Sequence, residues 1–194
     1  MTIDKNYFSH LKKISFLGII YKKYFSSLIL FLYTRRFGHK IAEVGSGIGS
    51  GILGAYPKYV DGFDINAEAV EYCVKHGFKA KLINEGGTFP TQDGLYDVCI
   101  LDNVLEHISE PEMTLDECDR ITKNNSGLII VVPGVAGYKA DSDHKIFYDE
   151  DKLRHLDSRW QLVNLLSLPF FIKNQRLSLL LKQYCLVAIY EKVT

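Results

Sequence analysis

No two cysteines in this chain have the C-x-x-C spacing: Cys73, Cys99, Cys118 and Cys185 are widely scattered. On that spacing the expected state is four reduced, partly buried thiols in a cytosolic protein. Long apolar runs are also missing. ISFLGIIY (14–21) and YFSSLILFLY (24–33) are split by Lys22 and Lys23, and each falls short of the roughly 20 residues that span a bilayer. The opening MTIDKNYFSH has no basic stretch leading into an apolar run, so no secretory leader is expected. Internal repeats, low-complexity tracts and Pro/Ser-rich linkers are absent, which leaves one domain, 39–194, behind an N-terminal arm, 1–38.

The net charge is zero, but it is unevenly spread. Residues 1–40 carry eight Lys/Arg against the single acid Asp4, 41–150 carry eight against nineteen acids, and 151–194 carry seven against three. An acidic middle excludes a nucleic-acid face there, whereas the arm is suited to something anionic. Within the arm, Leu11, Ile14, Leu17, Tyr21, Tyr24, Phe25 and Leu28 recur at close to helical spacing over 5–36. Arg35 and Arg36 suit a last helical turn and Gly38 its end.

Beyond the arm, strand and helix signals alternate. KIAEVG reads as a first buried strand, and the residues after its glycines as a helix ending near Pro57. YVDGFDI is a second strand, and NAEAVEYCVKHG a helix with Asn66 as N-cap and Gly77 as stop. KAKLIN, YDVCILDN and GLIIVVPG come next as strands, with a helix around PEMTLDECDRITK between the last two. DEDKLRHLD is a capped helix beginning at Asp149. WQLVNLLSL and YCLVAIYEKV close the chain as two strands without an obvious helix between them, able to pair antiparallel at one edge. The expected fold is α/β: a Rossmann-like three-layer sandwich on a mostly parallel seven-stranded sheet with an antiparallel edge, plus the helical extension.

Four glycines crowd IAEVGSGIGSG (41–51), directly after the first strand. In an open α/β sheet, ligands bind beyond the carboxyl ends of the strands, so such a turn brings backbone close to a cofactor. Asp64 ends the second strand, 21 residues after Glu43. A carboxylate at that place accepts the two hydroxyls of a ribose diol. The dinucleotide fingerprint G-x-G-x-x-G needs glycine at position 50, which is Ser50 here, and this disfavours a nicotinamide-dependent oxidoreductase. The run is instead E-x-G-x-G-x-G, from Glu43 through Gly49.

That run resembles motif I of the class I S-adenosylmethionine (SAM)-dependent methyltransferases, and the resemblance continues downstream. Glu85 and Pro90, Tyr96 and Asp97, Leu105-Glu106-His107, Arg120 and Pro133 stand in register with the small-molecule, type 11-like branch of that superfamily. The resemblance implies that Gly45, Ser46, Gly47 and Gly49 line the methionine moiety and that Glu43 orients its ammonium. It places Asp64 on the ribose hydroxyls, Ile65 against adenine, Asn84 or Glu85 at the adenine amino group, and Asp102 with Asn103 facing the methionine part. The family usually has Asp where Glu85 stands. The activity that the resemblance implies is methyl transfer from SAM, with S-adenosylhomocysteine as product, to a small-molecule or glycan acceptor, chiefly at oxygen. A SAM-binding sensor or scaffold without transferase activity is the alternative.

Methyl transfer from a sulfonium is a displacement that needs alignment above all, and a base where the acceptor must lose a proton. His144, after the fifth strand in DSDHKIFYDEDKLRHL, is the expected base or acceptor partner, with a loop histidine held by Asp143 as the bland reading. His107 is expected to line the pocket. Some ubiquinone-type O-methyltransferases hold a metal with an acid-x-x-Glu-His cluster, but the first position here is Asn103, so no metal is expected. The Asn/Asp-Pro-Pro-aromatic signature of nucleic-acid amino methyltransferases is absent from LDNVLEH, so no nucleic-acid substrate is expected. Two readings stay open for the arm: a lid helix packed on the sheet, or a surface meeting anionic lipid or a lipid-linked substrate through Lys12, Lys13, Lys22, Lys23, Arg35 and Arg36. The second would place a cytoplasmic protein at the inner face of a membrane.

Overall fold

Apolar residues on alternate positions of successive strands supply two faces to one sheet, and both are covered. The structure, a computed structural model, describes residues 21–193. Leu11, Ile14, Leu17, Lys12 and Lys13 of the expected arm helix lie outside the described residues. Seven strands, β1 (Ile41–Val44), β2 (Val60–Asp64), β3 (Ala80–Leu82), β4 (Tyr96–Asp102), β5 (Thr122–Pro133), β6 (Trp160–Leu168) and β7 (Cys185–Lys192), form one sheet in the order β3-β2-β1-β4-β5-β7-β6. The pairs β1–β2, β1–β4, β2–β3 and β4–β5 are parallel, whereas β7 runs antiparallel to both β5 and β6. This is the expected mostly parallel sheet, with its antiparallel pairing confined to the carboxyl-terminal side.

One face buries Ile41, Val60, Val98, Ile100, Ile129 and Val131 beneath α1 (Ser27–Thr34), α2 (Ile52–Ala55) and α3 (Ala67–Lys75). The other buries Val44, Phe63, Leu101, Leu128, Ile130 and Tyr190 beneath α4 (Glu112–Ile121) and the helix α6 (Glu150–Arg154). The period of two along β4 and β5 assigns adjacent residues to opposite layers, as strand geometry requires. Leu30 carries α1 into the first layer with 1% exposure. Burying an aliphatic side chain this fully contributes about 1.5–3 kcal/mol, so α1 is held as part of the fold.

The caps agree closely with the sequence. Asn66 Oδ1 accepts from Ala69 N at 3.0 Å at the start of α3, and Asp149 Oδ1 accepts from Lys152 N at 2.9 Å at the start of α6. Gly77 ends the first of these in the left-handed region, φ +80°. Five elements differ from expectation. α1 ends at Thr34, so Arg35 and Arg36 lie past its last turn. β5 begins at Thr122, within the stretch expected to end the preceding helix. The helix after the glycine turn is a single turn ending at Ala55. Two short helices, α5 (Val135–Lys139) and α7 (Gln175–Leu180), interrupt the β5–α6 and β6–β7 connections. The two closing strands are therefore joined through a helix after all, capped by Asn174 Oδ1 on Arg176 N and Leu177 N. Helices of five and six residues are too short for a 3.6-residue period to show.

The motif pairs Tyr96-Asp97 and Arg120 serve this scaffold. Tyr96 donates its hydroxyl to Asp61 at 2.9 Å. Asp97, at the edge opposite the glycine turn, accepts from His39 N, Lys40 N and Lys123 Nζ and so ties the end of the arm to the sheet. Arg120 fastens the loop before β4, donating to the carbonyls of Phe89 and Thr91 and pairing with Glu117 and Asp93.

Candidate active site

Strand order reverses between β1 and β4, since the chain leaves β1 toward β2 and β3 and returns on its other side to β4. At such a switch point the loops leaving the two strands diverge and open a crevice. The glycine turn leaves β1 on one bank; Asp102 and Asn103 leave β4 on the other.

On the first bank Gly45, Gly47 and Gly49 all have positive φ, +70°, +53° and +73°. At Gly45 a second restriction applies, because a Cβ there would run into Cγ2 of Val104 on the opposite bank. The turn is fixed from beneath by Asp64, whose Oδ2 accepts from Gly47 N at 2.7 Å and Oδ1 from Asn66 N at 2.8 Å. Burial raises the Asp64 pKa, and the hydrogen bonds from Asn66, Gly47 and Ile65 oppose that rise. A carboxylate has about four lone-pair positions, so these contacts leave it able to accept from a diol as well. Cys73 donates its thiol to the Gly47 carbonyl at 3.3 Å; burial first, then the charges of Asp64 and Glu43, push that thiol up to about 11, so it stays protonated.

Glu43 is buried, and its Oε2 accepts from Leu53 N at 2.8 Å, capping α2. Ser46 is buried, while Gly45, Ile65, Asn84 and Glu85 are exposed along the same carboxyl edge of the sheet. Asn84 opens a turn that runs through Glu85, Gly86 and Gly87, with Asn84 N bonded to the Thr88 carbonyl at 3.0 Å. The structure thus brings the predicted residues of this bank to one edge of the sheet.

On the second bank Asp102 is buried and accepts from Asn103 Nδ2 at 2.7 Å. Asn103 itself takes φ +56°, which a short amide side chain tolerates. The 3₁₀ turn Leu105–His107 comes at once after it. Onto it folds the loop after β5, because Lys145 N and Ile146 N both donate to the Glu106 carbonyl. The result is a cluster that only the fold assembles. His144 Nε2 lies 3.9 Å from Oε1 of the buried Glu106, and the His107 and His144 rings stand 4.6 Å apart.

The tautomer of His144 is set by its partner. Nδ1 lies 2.8 Å from the Tyr138 carbonyl oxygen. A carbonyl can only accept, so Nδ1 carries the hydrogen and Nε2 is the nitrogen turned toward Glu106. The Tyr138 ring stacks on the imidazole at 5.2 Å. Asp143 does not hold His144; it faces His107 Nδ1 at 3.4 Å and Lys145 Nζ at 2.9 Å. Burial, and then the neighbouring His144, lower the His107 pKa against the pull of Asp141 and Asp143, which keeps His107 neutral at pH 7.

Glu106, His107 and His144 each bring one ligand-type atom within 4.8 Å of the others, the single such grouping among the described residues. The sequence expectation of no metal rests on Asn103, and the structure adds His144 to that neighbourhood. Glu106 and Tyr138 are the residues that sequence reasoning passed over. The first stood inside the Leu-Glu-His motif as a signal that could be read; the second left none.

Residues 42–130 match the family described as Methyltransferase domain. No curated protein matches the chain. Among solved structures, a SAM-dependent methyltransferase from Aquifex aeolicus superposes with a TM-score of 0.67 at 20% identity, covering 99% of this chain and 100% of that one. A SAM-dependent methyltransferase from Methanosarcina mazei gives 0.63 at 18% identity over 84% of this chain and 97% of its own. Geranyl diphosphate methyltransferase in complex with SAM gives 0.67 at 12% identity, with 100% and 93% covered. The glycine turn with its positive backbone angles, the acid that ends β2 and the match over 42–130 agree: residues 42–130 carry a methyltransferase domain, in the fold of the SAM-dependent methyltransferases, and S-adenosylmethionine is the cofactor these findings support.

Proposed function

We propose that this methyltransferase acts at oxygen, on a hydroxyl of a small-molecule or glycan acceptor, lipid-linked glycans included, with His144 as general base. The observation that carries this reading is the His144 ring itself. It is fixed by Tyr138, stacked, and turned so that Nε2 is the accepting nitrogen beside the buried Glu106. A hydroxyl keeps its proton at neutral pH and gains from a positioned base, typically 10²–10⁴-fold.

The cofactor when bound supplies a methyl group on a positively charged sulfur. The backbone of Gly45, Ser46, Gly47 and Gly49 would hold its methionine end, with the Glu43 carboxylate, anchored on Leu53 N, near the ammonium. Asp64 would take the ribose hydroxyls, Ile65 the adenine face, and Asn84 or Glu85 the adenine amino group. Asp102 and Asn103 would close the methionine end from the second bank. As the acceptor oxygen bonded the methyl carbon, the carbon–sulfur bond would break with S-adenosylhomocysteine as the leaving group; the hydroxyl proton would pass to His144 Nε2, and a carboxylate at Glu106 would favour the resulting imidazolium. His107, neutral and beside His144, lines the acceptor side.

The test uses SAM labelled in its methyl group, incubated with fractionated polar and lipid extracts and the full chain. Label should enter an acceptor whose product resists mild alkaline hydrolysis, as an ether does and an ester does not. Label recovered only in amines, or unchanged transfer by His144→Ala, would overturn the oxygen-and-base reading.

A further inference from the structure

We propose that the outer face of α1 and the strap after β6 form a docking surface for an anionic phospholipid bilayer, beside the acceptor side of the crevice. The α1 sequence SLILFLYT has no charged residue. Ser27, Leu30 and Thr34 turn inward, yet Leu28 and Leu32, one turn apart on the outer side, are exposed. A surface helix ordinarily shows a polar outer face, so one that is apolar on both sides marks a contact surface.

A segment from the other end of the chain extends this face. Phe170, Phe171 and Ile172 come directly after β6, and Leu179 and Leu180 lie further along the same strap, with Ile172 65% and Leu180 77% exposed. The two segments meet where the Phe25 and Phe171 rings stand 6.3 Å apart, and Ile29, Leu32, Tyr33 and Phe171 line a shallow groove between them. Phe25, Leu28, Leu32, Phe170, Phe171 and Ile172 are six of the fifteen large exposed hydrophobic side chains among the described residues, and they lie on α1, just before it, or in the strap that meets it.

Topology puts the rim at the working edge of the sheet. β6 is antiparallel to β7, and β7 to β5, so β6 ends on the same edge as β5 and β4. Within the strap, Ser178 Oγ accepts from Val135 N at the start of α5, the helix that contains the Tyr138 carbonyl holding His144.

Charge selects the occupant. No Asp or Glu occurs from 158 through 190 or from 21 through 42, whereas Lys22, Lys23, Lys173, Arg176 and Lys182 do. Arg176 and Lys182 are exposed; Lys173 pairs with Glu150. Apolar side chains beside the exposed cations Arg176 and Lys182, with Glu150 already paired to Lys173, match the interface of an anionic bilayer. A second copy of this face would oppose like charges, and residues 1–20, with three lysines to one aspartate, would bring more of the same sign. Arg36, expected as part of such a surface, belongs elsewhere: it pairs with Glu191 at 3.1 Å, a residue level with the start of β6, whereas Phe171 comes after the end of that strand. Among the described residues no helix is long and apolar enough to cross a membrane. The consequence of the docking, that the acceptor is presented from the bilayer surface, rests on the acceptor reading above; the docking does not.

Co-sedimentation of the full chain with phosphatidylcholine vesicles, with and without phosphatidylglycerol, tests the proposal. The protein should sediment with the anionic vesicles, less at high salt. The double variant Phe170→Ser, Ile172→Ser should bind at least about tenfold more weakly, with unchanged affinity for S-adenosylhomocysteine and an unchanged circular dichroism spectrum. Wild-type protein that stays in solution with anionic vesicles at low salt, or a double variant that binds as well, overturns it. So does a wild-type dimer in sedimentation velocity that the double variant abolishes without any vesicle binding, since the occupant would then be a second copy. Failure of vesicle binding with intact S-adenosylhomocysteine affinity sinks this surface and leaves the methyltransferase assignment standing.

Discussion

On the β1–β2 bank of the crevice the polar groups have fixed partners, whereas beyond β5 and β6 the chain runs out in exposed leucines and phenylalanines. Asp64 accepts from two backbone N–H groups, Glu43 caps α2, and Cys73 is bonded to the Gly47 carbonyl. Across the crevice, residues 170–172 and 179–180 are mostly in contact with solvent. The His144 loop is the fastened part of that side, through the Glu106 carbonyl and through Tyr138. The difference matches the two tasks. In the proposed division, one bank holds the cofactor in one pose and the other meets the acceptor, a task suited to loops on a rigid scaffold.

Substitutions can break the comparison or sharpen it. The largest effect is expected at His144: His144→Ala should lower turnover about 10²–10⁴-fold, measured with labelled SAM, while folding and cofactor affinity stay as they are. Next comes Gly45→Ala on the cofactor bank. A left-handed backbone costs a residue with a Cβ roughly 1–2 kcal/mol, and the methyl meets Val104 besides. S-adenosylhomocysteine affinity, read by calorimetry, should fall about tenfold or more.

Away from both banks, Asp97→Asn should cost about 1–3 kcal/mol in denaturant unfolding, because it weakens the acceptor of His39 N, Lys40 N and Lys123 Nζ. Burial alone would raise the Asp97 pKa, but the hydrogen bonds from Lys123, Lys40 and His39 outweigh it and leave it below the usual 3.8. A depressed carboxylate pKa gives stability that is whole above the unfolded value and lost as pH falls through the folded one. The gap between wild type and Asp97→Asn should therefore be constant at neutral pH and close below pH 3.8. The smallest effect is expected at Leu180→Ser, within about 0.5 kcal/mol in thermal or denaturant unfolding, since that side chain buries little to lose.

The two banks were also unequally legible in the sequence. The cofactor bank is local: Glu43, the glycines and Asp64 lie within one strand–turn–helix–strand unit, so their spacing carries their arrangement. The caps at Asn66 and Asp149 are local as well, and each stands where its side chain could be read. His144 and Glu106 are 38 residues apart and meet only because two backbone N–H groups lay the loop on the 3₁₀ turn. Tyr138 acts through its carbonyl, which any residue possesses, so no side-chain pattern could announce it. The strap escaped notice for another reason: Phe170, Phe171 and Ile172 look like core residues until the fold leaves them outside.

The central claim is that the carboxylate ending β2 serves the cofactor while the histidine after β5 serves the acceptor. Calorimetric titration of S-adenosylhomocysteine into wild type, Asp64→Ala and His144→Ala tests it most directly. The expected result is loss of at least about a hundredfold in affinity for Asp64→Ala, some 2.7 kcal/mol, and a wild-type curve for His144→Ala. Tight binding by a folded Asp64→Ala, or loss of binding in a folded His144→Ala, would contradict the division of the crevice into these two banks.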